Sequence, residues 1–269
     1  MRENKLLEVF NSGEPTIGTR IHSPWPNVTE MLGHVATVGY VEYVAEYSEV
    51  SIPVFKAIAT VAELMGLGSM IKLDRPGEEL WGPRAFSEGF GGAMLVDVYS
   101  AEELEQRIQA MLPDTPRLDG KRGMRYTRDV YPYPGTPDDV RSMEHIVFAA
   151  MIEKVEAVTD GELEKILQVE WLKMIQWGPG DFTVSAGKPG QGESAEFKEI
   201  EERVIQTALE HDVRPRVEID RAQDAEPYLE MGVRDFSLGT DMTILREYWT
   251  NDGAALQTML SRAQVEQPS

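Results

Sequence analysis

The sequence predicts an α/β chain folded as a single (β/α)8 TIM barrel with a C-terminal helical extension. Short β-rich runs alternate with helical patterns about eight times in 269 residues, the count of a closed barrel. Most of these runs are apolar on both faces, as parallel strands lying under helices are. No Gly-x-Gly-x-x-Gly follows the first run, so a doubly wound open sheet is the second choice.

In chain order, a short amphipathic helix leads into a first strand over Thr16–His22. The next strands are expected at Tyr40–Glu46, Ser69–Asp74, Ala93–Val98, Ile146–Glu153, Leu172–Trp177, Arg214–Asp220 and Asp235–Gly239. Helices between them start recognisably. Ser100 with Glu103, and Thr159 with Glu162, read as capping boxes, and Ser194 opens a periodic stretch to His211. Gly89, Gly91 and Gly92 fit a helix-to-strand turn better than a phosphate cradle. The 13 methionines are dispersed and read as core filling. Two regions leave the rhythm. Pro113–Asp139 is proline-rich, carries basic residues from Arg117 to Arg128, and reads as a long loop. After Asp241, two helical stretches flank Asn251-Asp-Gly253. Tyr248, Trp249, Leu256 and Leu260 there suit burial in a subunit contact over 243–262, or packing on the chain's own barrel.

Composition narrows the function classes. The formal net charge of −20 argues against nucleic acid, whose phosphates call for clustered Lys and Arg. The acids are scattered along helices and read as a solvated surface. No apolar stretch reaches the roughly 18–20 residues that cross a bilayer, so no membrane association is expected. The start of the chain lacks a signal-peptide apolar region. The absence of cysteine removes disulfides, thiolate nucleophiles and thiolate metal sites, and a cytoplasmic protein is expected.

Barrel enzymes place their chemistry at the carboxyl ends of the strands. The polar residues there are Glu46, Tyr47, Lys72, Asp74, Asp97, Glu153, Asp181, Glu218, Asp220 and Asp241. Glu153 abruptly ends the apolar run Ala149-Ala-Met-Ile152, and Asp181 lies in Gly178-Pro-Gly180-Asp181, directly after the next strand. Two carboxylates on adjacent strand ends suit a hard divalent cation that keeps several waters. The competing use is an ordinary ion pair of Glu153 with Lys154 or Lys173 beside a plain turn. The glycines allow close backbone approach, and N–H groups near them suit a substrate carboxylate. His22, His34, His145 and His211 share no metal-like spacing and read as surface or cap residues.

Several segments in order resemble the HpcH/HpaI family of class II pyruvate aldolases. They are Ile17-Gly-Thr19, Gly89-Phe-Gly-Gly-Ala93, Gly120-Lys-Arg-Gly123, Met151-Ile-Glu-Lys-Val-Glu-Ala-Val158 and Gly178-Pro-Gly-Asp-Phe182. The resemblance implies that Glu153 and Asp181 bind Mg²⁺, with Mn²⁺ or Co²⁺ as alternatives. It also implies that Gly180 and Asp181 hold the carboxylate of a 2-oxo acid through backbone amides. The implied reaction is aldol cleavage to a pyruvate enolate and an aldehyde, in a homo-oligomer, commonly a hexamer with the terminal helix against a neighbour. This chain departs from the family where protons move. Glu46-Tyr47-Ser48 stands where a Glu-His-Gly is usual, and Lys72 stands where an arginine contacts the keto oxygen. Ser87 and Met151 stand where an aspartate and a glutamine are usual.

Lys72 and Tyr47 are therefore the expected catalytic pair, with Glu46 behind them. A phenol ionises near pH 10, and the Lys72 ammonium is expected to pull Tyr47 downward. Lys lacks the planar fork of Arg, so the substrate is expected to sit differently. Two alternatives stay open: another enolate reaction (decarboxylation, hydration or isomerisation) and a catalytically silent barrel that binds a metabolite or a partner.

Overall fold

A computed structural model describes residues 4–123, 137 and 143–265. Eight parallel strands close in sequence order: β1 (Thr16–Ile21), β2 (Tyr40–Val44), β3 (Gly68–Leu73), β4 (Gly92–Leu95), β5 (Val147–Ile152), β6 (Leu172–Trp177), β7 (Arg214–Ile219) and β8 (Asp235–Thr240), with β8 pairing back to β1. Each expected strand is present. Several end earlier than expected because the chain tightens at the mouth; β2, for example, gives way to a 3₁₀ turn over Ala45–Tyr47.

Two cores result. Outward-facing strand side chains such as Ile71 and Phe148 pack under the surrounding helices, against helix residues such as Phe55 and Ile58, all fully buried. Inward-facing residues form a second cluster that includes Met70, Met94, Met151 and Met174, so four methionines do fill core space. Helix α1 (Lys5–Asn11) closes the amino-terminal end of the barrel, burying Leu6 and Phe10. Its cap is Asn4, whose side-chain oxygen accepts from the N–H groups of Leu6 and Leu7. The Phe10 ring meets Tyr40 edge-on at 5.9 Å. Tyr40 in turn lies over Gly18, where a Cβ would come within 2.3 Å of the ring.

The helical layer comprises α2 (Pro26–Gly33), α3 (Ile52–Leu64), α4 (Glu78–Glu88), α5 (Ala101–Met111), α6 (Glu162–Ile166), α7 (Pro179–Ser185), α8 (Ala195–Glu210) and α9 (Glu226–Met231). Ser100 caps α5, as expected. The box expected at Thr159 and Glu162 does not form. Gly161 occupies the cap of α6, and Glu162 instead accepts the Ala101 N–H at 2.8 Å, tying α6 to the start of α5. Gly89 ends α4 in the left-handed region, at φ 110°, and His34 and His211 sit at helix carboxyl ends.

The expected break at Asn251–Gly253 is also absent. Helix α10 (Asp241–Val265) runs continuously, since one glycine costs a helix only about 1 kcal/mol relative to alanine. Met242, Tyr248, Trp249, Leu256 and Leu260 on it are all exposed, so this helix does not pack its apolar residues on the chain's own barrel. Of the expected loop, Pro113–Gly123 contains no helix, while Arg125 and Arg128 lie outside the described residues. Among the described residues, no helix is long and apolar enough to cross a membrane.

Candidate active site

The side chains at the mouth follow from the two-residue period of the strands. On three strands the inward positions are apolar low in the barrel and become polar toward its carboxyl end. On β2 Tyr40 gives way to Glu42, on β3 Met70 to Lys72, and on β6 Met174 to Gln176. Glu153 lies one inward step beyond Met151 and is 3% exposed.

The expected residues gather in part. The Lys72 ammonium pairs with Glu46 at 3.0 Å and stands 5.9 Å from the centre of the Tyr47 ring. Burial opposes the Lys72 charge, but Glu42 and Glu46 outweigh it and hold the ammonium above its usual value. Glu153 does not pair with Lys154, which binds the Asp97 carboxylate at 2.6 Å, and Lys173 is exposed. Instead Oε1 of Glu153 accepts the Asp97 N–H at 2.7 Å. Burial pushes the Glu153 carboxyl up to about 7; the Asp97 N–H and Lys72 oppose this, and the charges of Asp181 and Asp97 add to it. Gly178 is required beside it, because a Cβ there would lie 2.7 Å from Glu153 Oε2. Asp181 is exposed on the first turn of α7, near enough for its charge to act on both Glu153 and Tyr47. Gly180, also exposed, has open space above it. Asp74 and Asp220 are exposed and carry no bond to this group.

Tyr47 corrects one expectation. Its hydroxyl is pushed up to about 12, because burial and the Glu46 carboxylate outweigh the downward pull of Lys72. The phenol stays protonated at neutral pH. Its ring stacks on His22, centroids 6.5 Å apart and planes 16° apart. His22 is thus a wall of the mouth rather than a surface histidine. It is fixed there by Asp241, which accepts the N–H groups of His22 and Ser23 at 2.8–3.0 Å. Burial opposes ionisation of Asp241, but these donors and the His22 ring prevail and hold its carboxyl below the usual value.

Beneath the mouth runs a polar layer that reading the strand ends alone does not find. Arg216 is fully buried and ion-paired with the fully buried Glu42. Its Nε donates to Gln176 at 2.5 Å; Gln176 donates to Glu218, which pairs with Arg20 at 2.8 Å. A charged residue at every second position of an otherwise apolar strand, as in Arg214-Pro-Arg-Val-Glu218, is the signal that marks these side chains as inward. Among the described residues, no three His, Asp or Glu side chains converge as a ready-made metal cluster. Of the acids at this point of the mouth, Asp97 is paired with Lys154 and Glu46 with Lys72, while Glu153 and Asp181 have no ion pair among the described residues.

Fold and site define a (β/α)8 barrel whose carboxyl end gathers Glu153 and Asp181, without an ion pair among the described residues, and the Lys72–Glu46 pair. No family model matches the chain. Among curated proteins it is similar to the hydroxypyruvate/pyruvate aldolase of Delftia acidovorans, 26% identical over 157 residues, which are 57% of this chain and 56% of that protein. The chain therefore matches little more than half of that relative's length. Solved structures share the whole fold. The HpcH/HpaI aldolase from Desulfitobacterium hafniense superposes with a TM-score of 0.81 at 22% identity, over 98% of both chains. An HpcH/HpaI aldolase/citrate lyase family protein from Burkholderia cenocepacia gives 0.81 at 17% identity, over 96% of this chain and 99% of its own. Macrophomate synthase gives 0.79 at 18% identity, over 98% and 90%.

Proposed function

We propose that this chain is a metal-dependent carbon–carbon lyase of the aldolase type, acting on a 2-oxo acid through a pyruvate-like enolate. The observation that carries this reading is the buried Glu153 carboxylate, held on one oxygen by the Asp97 N–H, with Asp181 near enough for its charge to act on it and, among the described residues, no cation ion-paired to it. A buried carboxylate without a counter-ion is costly, and a hard divalent ion accompanied by waters answers that cost. The two-acid donor set fits Mg²⁺, Mn²⁺ or Co²⁺, with Glu153 and Asp181 as its ligands. When bound, such an ion polarises the substrate's keto oxygen and stabilises negative charge developing there.

The chain's own groups do the rest. Backbone N–H groups at Gly180 and Asp181 take the substrate carboxylate. Lys72, kept charged by Glu42 and Glu46, steadies the developing oxyanion. Glu46 takes the proton from the 4-hydroxyl as the C3–C4 bond breaks. The bond's electron pair passes to the enolate and an aldehyde leaves. Protonation at C3, by the same carboxyl, gives pyruvate. Tyr47, its hydroxyl un-ionised at neutral pH, serves as a wall. The chain also assembles with copies of itself through the exposed stripe of α10, a hexamer by family resemblance. Light scattering should report more than a dimer, and truncation after Met242 should reduce it to monomers.

Pyruvate in D₂O with Mg²⁺ or Mn²⁺ should exchange its methyl protons, detected by NMR, and a chelator should stop the exchange. A 4-hydroxy-2-oxo acid should release aldehyde. Absence of exchange with pyruvate shown to bind would overturn the enolate reading; carbon dioxide without aldehyde would move the reaction to decarboxylation.

A further inference from the structure

The loop after β4 turns on a residue held against its backbone preference. Asp97 has φ 52°, in the left-handed region that aspartate tolerates and β-branched residues avoid. That conformation aims its N–H at Glu153 Oε1, 2.7 Å away. The other oxygen, Oε2, is then left on the side of Gly178 and the turn that carries Asp181.

The turn is braced from outside the barrel. Arg107, on α5, donates to the carbonyl of Val96 at 2.6 Å and to that of Asp97 at 3.4 Å. The same guanidinium is gripped by Glu78 at 2.6 and 2.8 Å and by Glu103 at 2.9 Å. Glu78 returns to the turn by accepting the Val96 N–H at 3.3 Å. Lys154 holds the Asp97 side chain at 2.6 Å. An uncommon backbone conformation persists only where its surroundings over-determine it, and here they do so from three sides.

We propose that Asp97, through its left-handed backbone, and Arg107, through the turn it braces, are positioning residues that present Oε2 of Glu153 to a divalent cation. The inference rests on the metal reading above. Groups that orient a metal ligand typically change metal affinity about 10–100-fold when replaced.

The test is a matched pair in the full-length protein, titrated calorimetrically with Mn²⁺ alone. Asp97→Gly and Asp97→Val both remove the carboxylate and the Lys154 pairing. Glycine takes the left-handed turn freely, so its N–H stays on Glu153 and affinity falls less than about threefold. Valine resists the turn, and affinity falls about 10–100-fold. Excess Mn²⁺ should restore pyruvate exchange in Asp97→Val, which general structural damage would not permit. Arg107→Gln should weaken Mn²⁺ about tenfold; if it fails to fold, the Asp97 pair decides alone. Failure of the wild type to bind Mn²⁺ overturns the metal reading and this inference with it. Wild-type binding with Asp97→Gly and Asp97→Val equally affected overturns the positioning role alone.

Discussion

The two ends of this barrel are built from the same strands to opposite specifications. At the amino-terminal end Leu6 and Phe10 of α1 seal a floor of Tyr40 and methionines. Two residues further along β2, β3 and β6 the inward positions hold Glu42, Lys72 and Gln176, and Arg216 joins them from β7. The floor gains stability from apolar area removed from water, about 25 cal/mol per Å². The mouth gains little: a buried ion pair such as Arg216–Glu42 loses in desolvation much of what it gains in attraction. One half of the interior holds the fold together, and the other holds charges where a substrate can meet them.

The sharpest break of this contrast is Glu46→Gln. It should lower the melting temperature only modestly, because Glu42 still faces the Lys72 ammonium, yet reduce pyruvate exchange by about 10²–10⁴-fold, the usual worth of a positioned acid or base. Arg216→Met should cost about 3–5 kcal/mol in urea unfolding, because Glu42 is left charged and buried. The double variant Glu42→Leu with Arg216→Met should recover most of that stability while remaining poor in exchange. On the floor, Leu6→Ala should cost about 2–5 kcal/mol through the cavity it leaves, with the substrate KM unmoved.

Smaller effects sharpen the rim. Asp241→Asn should cost on the order of 1 kcal/mol, the difference between a charged and a neutral acceptor. Because the folded Asp241 carboxyl lies below its ordinary value, that advantage is complete above pH about 4 and disappears as the pH falls through the folded value. Unfolding of both proteins between pH 2 and 7 checks this. Tyr47→Phe should change exchange least, by less than about threefold beside the range expected of a true base, since its hydroxyl does not ionise at neutral pH.

The fold was legible because periodicity and strand count depend only on local pattern, and most of the strands lie where Val, Ile and aromatic residues cluster. The positions of Glu153 and Asp181 just beyond β5 and β6 were legible because each interrupts or follows an apolar run; their role as metal ligands is the proposal above. Three features were not. Glu42, Arg216 and Gln176 lie within strands, so attention to strand ends passed over them, although their two-residue spacing marks the inward face. The direction of the Tyr47 shift depended on a balance of burial, Glu46 and Lys72 that spacing does not weigh. Glu162 left its own helix for Ala101, a choice made by tertiary contact rather than by the capping pattern.

The overlap of Gly18 and Tyr40 has a consequence for how this chain can vary. The ring fills the space that a side chain on β1 would take, so the two positions constitute one volume divided between neighbouring strands. A methyl group added at Gly18 has to be matched by a smaller residue at Tyr40, and a smaller residue at Tyr40 opens room for one at Gly18. Among relatives of this barrel the two positions should drift together, each recording the other's size, and a randomised library should recover them only as compatible pairs.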